Sequence, residues 1–217
     1  MDNEAAKSRY SSARGSLGFS NSEVIADGMA TKLPRPSPLV RRFATKIANA
    51  APALPILDVA CGPGRNAILF AQLGSTVICV DNDLDKLQSL KEQWRQTSLA
   101  PVASRLHLQK LDLVQNTWPF GPSEFGAIVN VHFFLPALLP YFEISLSHGG
   151  YLLLETIPGC GGNYRKLPRN GQVRHALERT FDFEHYKESE AGPTDCRAVT
   201  VQVVARRKKQ TRLLQGG

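Results

Sequence analysis

Residues 56–66 read ILDVACGPGRN, and this stretch decides the fold. Its apolar first half is typical of a buried strand, its glycines form a turn, and a helix is predicted to begin at Arg65. Gly62 and Gly64 allow a tight turn and leave room for a ligand, while the N–H groups of the following helix face the crevice beyond the strand's carboxyl end. The stretch therefore predicts a ligand-binding site at this edge of a sheet.

Strands and helices continue to alternate on both sides of this stretch. Predicted strands cover residues 54–60, 76–80, 105–110, 126–132 and 151–157, and predicted helices cover 37–50, 65–73, 84–96, 135–146 and 172–180. Ser37 is the expected cap of the first helix, with Pro38 at its first position. Because the central strands are apolar throughout, we expect a parallel sheet covered by helices on both faces.

The end of the chain has a different pattern. Two predicted strands, 181–190 and 197–206, are joined by the short segment 191–195. A parallel return needs a dozen or more residues, so these strands must form an antiparallel hairpin. The expected architecture is a three-layer α/β fold with a seven-stranded, mostly parallel sheet whose last strand is antiparallel.

Composition restricts the class of protein. The 217 residues are 42% hydrophobic and 21% charged, as in globular proteins, and the apolar runs are too short to span a bilayer. The N-terminus has no secretory signal pattern, so we expect a cytoplasmic protein without membrane partners. The four cysteines lie far apart without a CxxC pair, which predicts reduced thiols and no metal site.

The net charge of +7 is concentrated at the two ends of the chain. Residues 1–50 carry eight Lys/Arg against four Asp/Glu, residues 201–217 carry five against none, and the middle is slightly acidic. We therefore expect an N-terminal arm at 1–36 that is mobile and packs only partly, a folded domain at 37–207 and a basic tail at 208–217. A nucleic-acid groove would place its cations on the folded body, so a nucleic-acid partner is disfavoured.

A nicotinamide dehydrogenase is one class that the glycine turn permits. Gly62, Gly64 and Ala67 satisfy the loose dinucleotide pattern, and Asp81 follows at a suitable distance. However, Asp58 would repel a pyrophosphate, and the chain leaves no room for a separate catalytic domain. An NAD(P)-dependent oxidoreductase is therefore the weakest of the alternatives.

The segments DVACGPGRN and ICVDND resemble the class I S-adenosylmethionine-dependent methyltransferases. The resemblance covers residues 54–207. Within the family, the two segments look like those of the small-molecule branch, which includes enzymes of the tellurite-resistance type. The resemblance implies the Rossmann-like methyltransferase fold, with the pair Gly149-Gly150 forming a turn before the fifth strand. Ala60 stands where the family usually has its first glycine, and we expect its small side chain to cost little.

The resemblance also implies a cofactor site for S-adenosyl-L-methionine. Asp58 would accept from the methionine ammonium, Asp81 with Asn82 would bind the ribose, and Asn130 would face the methionine part. The remaining implied contacts are the backbone of Ala60, Gly62 and Gly64 with the amino-acid part, and Asp112 and Leu113 with the adenine. Asp112 is also suited to capping a turn.

The acceptor side is expected just past the fourth and fifth strands. His132 and Glu155 are the candidate catalytic residues, and the glycine-rich loop 158–164, which contains Cys160, could bend over the substrate. Holding a nucleophile in line behind the methyl group in a dry site supplies most of the acceleration, so a base such as His132 matters only for a protonated acceptor. A histidine beside Phe133 and Phe134 is equally consistent with a hydrogen-bonded core residue, and the loop with a loose connection.

The sequence thus predicts a methyltransferase that acts on a small molecule. An RNA or protein methyltransferase and a non-catalytic cofactor-binding protein are the alternatives. No Asn/Asp-Pro-Pro-aromatic string follows the fourth strand, and no Pro-Cys pair is present, so the sequence has neither of the motifs typical of nucleic-acid base methylation.

Overall fold

The computed structural model describes residues 23–26, 29–32, 35–50 and 53–209. The strands are β1 (Glu23–Ala26), β2 (Met29–Lys32), β3 (Ile56–Val59), β4 (Val77–Asp81), β5 (Leu106–Lys110), β6 (Phe125–Val131), β7 (Leu146–Glu155), β8 (Phe181–Glu190) and β9 (Val199–Arg207). The α-helices are α1 (Pro38–Ala50), α2 (Arg65–Gln72), α3 (Asp85–Trp94), α4 (Ala100–Arg105), α5 (Leu139–Ser145) and α6 (Gln172–Leu177). Short 3₁₀ helices cover Pro136–Leu138, Gly161–Lys166 and Thr194–Cys196.

Strands β3 to β9 form one seven-stranded sheet in the order β5-β4-β3-β6-β7-β9-β8. Neighbours from β5 to β7 pair in parallel, whereas β9 is antiparallel to both β7 and β8. The predicted sheet with one reversed strand is confirmed. Since the five parallel strands all end at the same edge, the residues that follow them are brought together there.

Helices cover both faces of the sheet and bury two apolar cores. Helices α1 to α4 pack on one face, where the core includes Ile47, Phe70 and Trp94. Helices α5 and α6 pack on the other, with Phe142 and Leu177 in the core. The predicted three-layer α/β architecture is therefore confirmed. In the described ranges, none of the helices has the length and apolar character needed to cross a bilayer.

Helix α1 begins as the sequence predicts. The Ser37 hydroxyl accepts hydrogen bonds from the N–H groups of Leu39 (3.1 Å) and Val40 (3.4 Å), which satisfies two N–H groups of the first turn. Pro38 occupies the first helical position, where no N–H is needed. The helix buries Leu39, Val40, Ala44 and Ile47 against the sheet.

The structure contains features that the sequence does not predict. Strands β1 and β2 pair as a short antiparallel hairpin inside the segment expected to be an arm. Helix α4 follows α3 although no helix was predicted there. Strand β7 begins at Leu146, because this residue still pairs with Phe125, so Gly149 (φ +78°) and Gly150 form a bulge within the strand instead of a turn before it.

Candidate cofactor and acceptor site

The glycine turn between β3 and α2 forms the centre of the site. Gly64 has φ +78°, and a Cβ there would lie 2.6 Å from Cδ1 of Leu87 in α3, so only glycine fits this position well. Gly62 also has a positive φ (+53°), but no atom lies within 4 Å of where its Cβ would be. The backbone is therefore open at Gly62 and closely packed at Gly64.

Ala60 is the residue that departs from the family's glycine pattern. It adopts φ +53°, a left-handed conformation that costs an L-residue roughly 1–2 kcal/mol. The small side chain of Ala60 does not remove this conformational cost, so the expected low cost of the substitution is too small.

Asp81, at the end of β4, is held by the turn itself. One carboxylate oxygen accepts from the Gly62 N–H (2.7 Å) and the other from the Asp83 N–H (3.0 Å). These bonds fix the direction of the carboxylate while each oxygen keeps a lone pair for a further donor. Asn82 beside it is exposed. The arrangement suits a ligand with two adjacent hydroxyl groups.

Asp58 is an ionisable group buried at the end of β3. Its side chain is 1% exposed, and Oδ2 has no hydrogen-bond partner in the described part of the chain. Burial raises its pKa to about 7, against the lowering effects of the Ala67 N–H and the Arg65 charge. An unpaired buried carboxylate is costly, and a cationic or N–H-donating ligand would lower that cost.

Asn130 provides a second buried oxygen without a partner. It is 2% exposed near the end of β6, in register with Val59 on one side and Leu154 on the other. Its Oδ1 accepts no hydrogen bond from the residues that the structure describes. Because β6 is the direct neighbour of β3, Asn130 and Asp58 lie at the same edge of the sheet, but Asp58 is in register with Val129, so the two side chains point to opposite faces.

Asp112 caps the turn that follows β5. Its Oδ1 accepts from the N–H groups of Val114 (2.9 Å) and Gln115 (3.2 Å), while its own N–H donates to Asn116 Oδ1 (3.1 Å). Leu113 places its side chain in the core beneath α5 and α6. The turn-capping geometry considered for Asp112 is present, and its contact with an adenine stays a prediction.

His132, just past β6, contacts a cation from the glycine turn. The Arg65 guanidinium donates from Nη2 to His132 Nδ1 at 3.1 Å. Since arginine is always a donor, Nδ1 is the acceptor and Nε2 carries the proton of the neutral imidazole. Partial burial and the Arg65 charge lower the pKa of His132, which keeps the ring neutral. The ring is exposed, so it does not take the core position considered for it from the sequence.

Glu155, at the end of β7, has both oxygens engaged. One accepts from the buried Ser37 hydroxyl and the other from the Gln202 side-chain amide at 2.8 Å. The backbone N–H of Ser37 donates to Asn66 Oδ1 (3.1 Å), so the network ties the starts of α1 and α2 to β7 and β9. The carboxylate thus joins elements around the site.

Sequence reasoning missed several members of this site. Arg65 and Asn66 stand in the quoted motif directly after Gly64, and their place at the start of a helix next to a ligand turn was a usable signal. For Ser37, the sequence predicts only a role as a helix cap. Nothing in the sequence pattern indicated that Ser37 or Gln202 would meet Glu155.

The loop after β7 packs on the hairpin at the end of the sheet. A Cβ on Gly159 would lie 2.4 Å from Cβ of Ala191, and one on Gly192 would lie 2.4 Å from the Tyr164 ring. These close contacts seat the loop on the β8–β9 connection, so it is not the loose connection considered as an alternative. Cys160 is exposed in this loop.

Part of the sequence is similar to a known family of domains. A family model described as a methyltransferase domain matches residues 56–143, the segment from β3 into α5. Among curated proteins, none matches the sequence. The matched segment, which is similar to methyltransferase domains, contains the glycine turn, Asp81 and His132.

Solved methyltransferase structures share the fold at low sequence identity. The glycopeptide N-methyltransferase MtfA, solved with S-adenosyl-L-homocysteine, is 19% identical, with a TM-score of 0.52 over 77% of this chain and 88% of that one. Geranyl diphosphate C-methyltransferase from Streptomyces coelicolor is 11% identical, with a TM-score of 0.59 over 78% and 79%. A tRNA (m1A58) methyltransferase from Aquifex aeolicus is 14% identical, with a TM-score of 0.53 over 82% and 73%. The chain thus has the fold of these solved methyltransferases, and residues 56–143 match a methyltransferase-domain family model.

Proposed function

We propose that this protein is an S-adenosyl-L-methionine-dependent methyltransferase that acts on a small molecule. The observation that carries the proposal is Asp58, whose buried Oδ2 has no partner beside the open backbone of Gly62 and the fixed carboxylate of Asp81. A ligand with both an ammonium group and a ribose diol matches these groups.

The residues present fit this cofactor. Asp58 would accept from its ammonium, Asp81 and Asn82 would bind the ribose hydroxyls, and Asn130 would face the methionine part. The other predicted contacts are the backbone of Ala60, Gly62 and Gly64 with the amino-acid part, and Asp112 and Leu113 with the adenine. When bound, the cofactor supplies a methyl group on a sulfonium, which is a good leaving group.

The chain's own residues have the task of holding the acceptor in line and excluding water. We propose that His132 contacts the acceptor through its exposed Nε2. In the arrangement with Arg65, this nitrogen carries the proton and donates. The base role predicted from the sequence requires the other tautomer, in which Nε2 is unprotonated and Nδ1 carries the proton. In that tautomer, Nδ1 no longer accepts a hydrogen bond from Arg65. Glu155, with both oxygens engaged, supports the site through Ser37 and Gln202.

The small-molecule acceptor is supported by the charge of residues 51–200, which carry the glycine turn and the predicted site residues and hold thirteen Lys/Arg against fifteen Asp/Glu. Similar structures include enzymes named for a glycopeptide, for geranyl diphosphate and for tRNA. An RNA acceptor is therefore the second candidate. A transfer assay separates the two.

The test is incubation of the full chain with methyl-labelled cofactor and a panel of thiols, amines, carboxylates, oxyanions and total tRNA, with Asp58→Asn as the control with weakened cofactor binding. At a cofactor concentration below the wild-type dissociation constant, we expect label on a small molecule, and about ten- to a hundredfold slower labelling with the control. Transfer to tRNA alone would reject the small-molecule proposal, and no transfer despite tight cofactor binding would favour a non-catalytic cofactor-binding protein.

Replacing Asp81 by alanine is expected to weaken cofactor binding about ten- to a hundredfold. The change removes charge-assisted hydrogen bonds worth about 1.5–3 kcal/mol to the ribose. It also frees the N–H groups of Gly62 and Asp83, which loosens the turn. Calorimetric titration with S-adenosylhomocysteine measures the effect. Asp182→Ala, which removes an exposed carboxylate from β8, is the control. Equal affinities of the two variants would contradict the ribose role.

Cofactor affinity is expected to rise with pH through neutrality. In the free protein, burial raises the Asp58 pKa to about 7, and a bound ammonium favours the ionised carboxylate, so binding releases a proton below this pH. Affinity for S-adenosylhomocysteine should increase about five- to tenfold from about pH 6 to about pH 7.5. Calorimetry in two buffers of different ionisation enthalpy detects the released proton. A flat profile in the wild-type protein would reject the contact with Asp58.

A further inference from the structure

Arg65 and His132 form a pair of hydrogen-bond donors between the glycine turn and the end of β6. Arg65 Nη2 lies 3.1 Å from His132 Nδ1, and this contact does not use the Nε2–H of His132, an exposed residue. The guanidinium keeps further N–H groups beyond the one given to His132. The pair therefore offers several donors and one full positive charge at one place.

The positive charge of Arg65 has no counter-ion in the described part of the chain. The ion pairs found there are Lys46 with Glu184 and His175 with Glu178. Glu155, whose charge raises the pKa of His132, accepts hydrogen bonds from Ser37 and Gln202. Asp58 is buried and interacts electrostatically with Arg65, but the two side chains form no ion pair. An unpaired, half-buried guanidinium next to a second donor is suited to a planar carboxylate.

Two aromatic residues follow His132 in the chain. Phe133 and Phe134 are half-buried against the core beneath α5 and α6. Probes with and without an aromatic ring are therefore used to test what the Arg65–His132 pair binds.

We propose that the methyl acceptor is a small organic acid whose carboxylate binds between Arg65 and His132. This inference rests on the proposed methyltransferase function. The methionine part of the cofactor also has a carboxylate, which is the competing source of the same chemistry. The experiment must therefore measure cofactor and acceptor binding separately.

The probes are matched pairs of carboxylates and their neutral amides, namely acetate and acetamide, benzoate and benzamide, and phenylacetate and phenylacetamide. The full chain is first titrated with S-adenosylhomocysteine and then, saturated with it, with each probe. We expect at least one carboxylate to bind about tenfold or more tightly than its amide. Arg65→Gln should remove this preference and leave S-adenosylhomocysteine affinity within a few fold. Arg95→Gln, at an exposed position after α3, should change neither.

Three results would overturn the inference. The first is that carboxylates and amides bind with equal affinity, and the second is that none of the carboxylates binds. The third is that Arg65→Gln weakens only the binding of S-adenosylhomocysteine, which would assign Arg65 to the cofactor's carboxylate. The wild-type comparison of acid with amide needs no variant, so it decides even when Arg65→Gln fails to fold. Failure of the wild-type protein to bind S-adenosylhomocysteine would instead reject the proposed function itself.

Discussion

Replacing Asp58 by asparagine is expected to weaken cofactor binding about ten- to a hundredfold while stabilising the free protein. The loss of affinity follows from removing a charged acceptor for the cofactor ammonium, which is worth about 1.5–3 kcal/mol. The gain in stability follows from removing a carboxylate that is buried and has one oxygen without a partner.

The stability gain has a defined pH dependence. The pKa of Asp58 is raised from 3.8 to about 7, so the folded protein binds more protons than the unfolded chain between these values, and its stability falls as pH rises through them. At about 1.36 kcal/mol per pKa unit, the cost above pH 7 reaches about 4 kcal/mol. The buried asparagine amide, also without a partner, costs about 1–3 kcal/mol of stability. The variant therefore gains about 1–3 kcal/mol of stability in total.

Urea unfolding at about pH 8 and about pH 5 measures this effect, because the carboxylate is largely neutral in the folded protein at the lower pH. We expect Asp58→Asn to be more stable than the wild-type protein at the higher pH and to lose most of that advantage at the lower one. Asp182→Asn, on exposed β8, should show no such difference. A variant that is less stable at both pH values would show that Asp58 is a structural residue.

Replacing His132 by asparagine is expected to lower kcat/KM about a hundredfold, with cofactor affinity within a few fold. The reason is that Nε2 would hold the acceptor in line, and small errors in alignment cost about this factor. Asparagine is the suitable replacement because His132 has φ +66°, a conformation that asparagine tolerates. The measurement uses the acceptor identified by the transfer assay.

The pH profile of the same variant distinguishes the two roles of His132. A base would give the wild-type enzyme an acidic limb, below the usual histidine range because partial burial and Arg65 lower the pKa, and the variant would lose this limb. A donor would give the same loss of kcat/KM without removing a limb. His107→Asn, an exposed position on β5, is the control. Unchanged turnover with a lower melting temperature would reject both roles.

The fold could be predicted because its signals are local. The strand, turn and helix of residues 56–66 and the apolar strands around them each carry their pattern within a few residues, and the short joint at 191–195 excludes a parallel return. The β7 bulge was missed because Gly149-Gly150 has the composition of a turn, and only the pairing of Leu146 with Phe125 shows that the strand starts earlier.

The site was predictable only where its residues follow strand ends. Asp58, Asp81 and Asn130 belong to this group, since parallel strands place their carboxyl ends at one edge. The contact of Ser37 with Glu155 joins residues 118 positions apart, and the contact of Arg65 with His132 spans 67. Such pairs depend on how α1 and α2 settle on the sheet, which a single sequence does not encode in any local pattern.

The most direct measurement is calorimetric titration of the full chain with S-adenosylmethionine, S-adenosylhomocysteine and NAD. The combination of an unpaired buried carboxylate at Asp58 with a fixed carboxylate at Asp81 predicts one site that binds the first two ligands and not NAD. Tight binding of NAD, without a response to either methionine-derived ligand, would contradict the account.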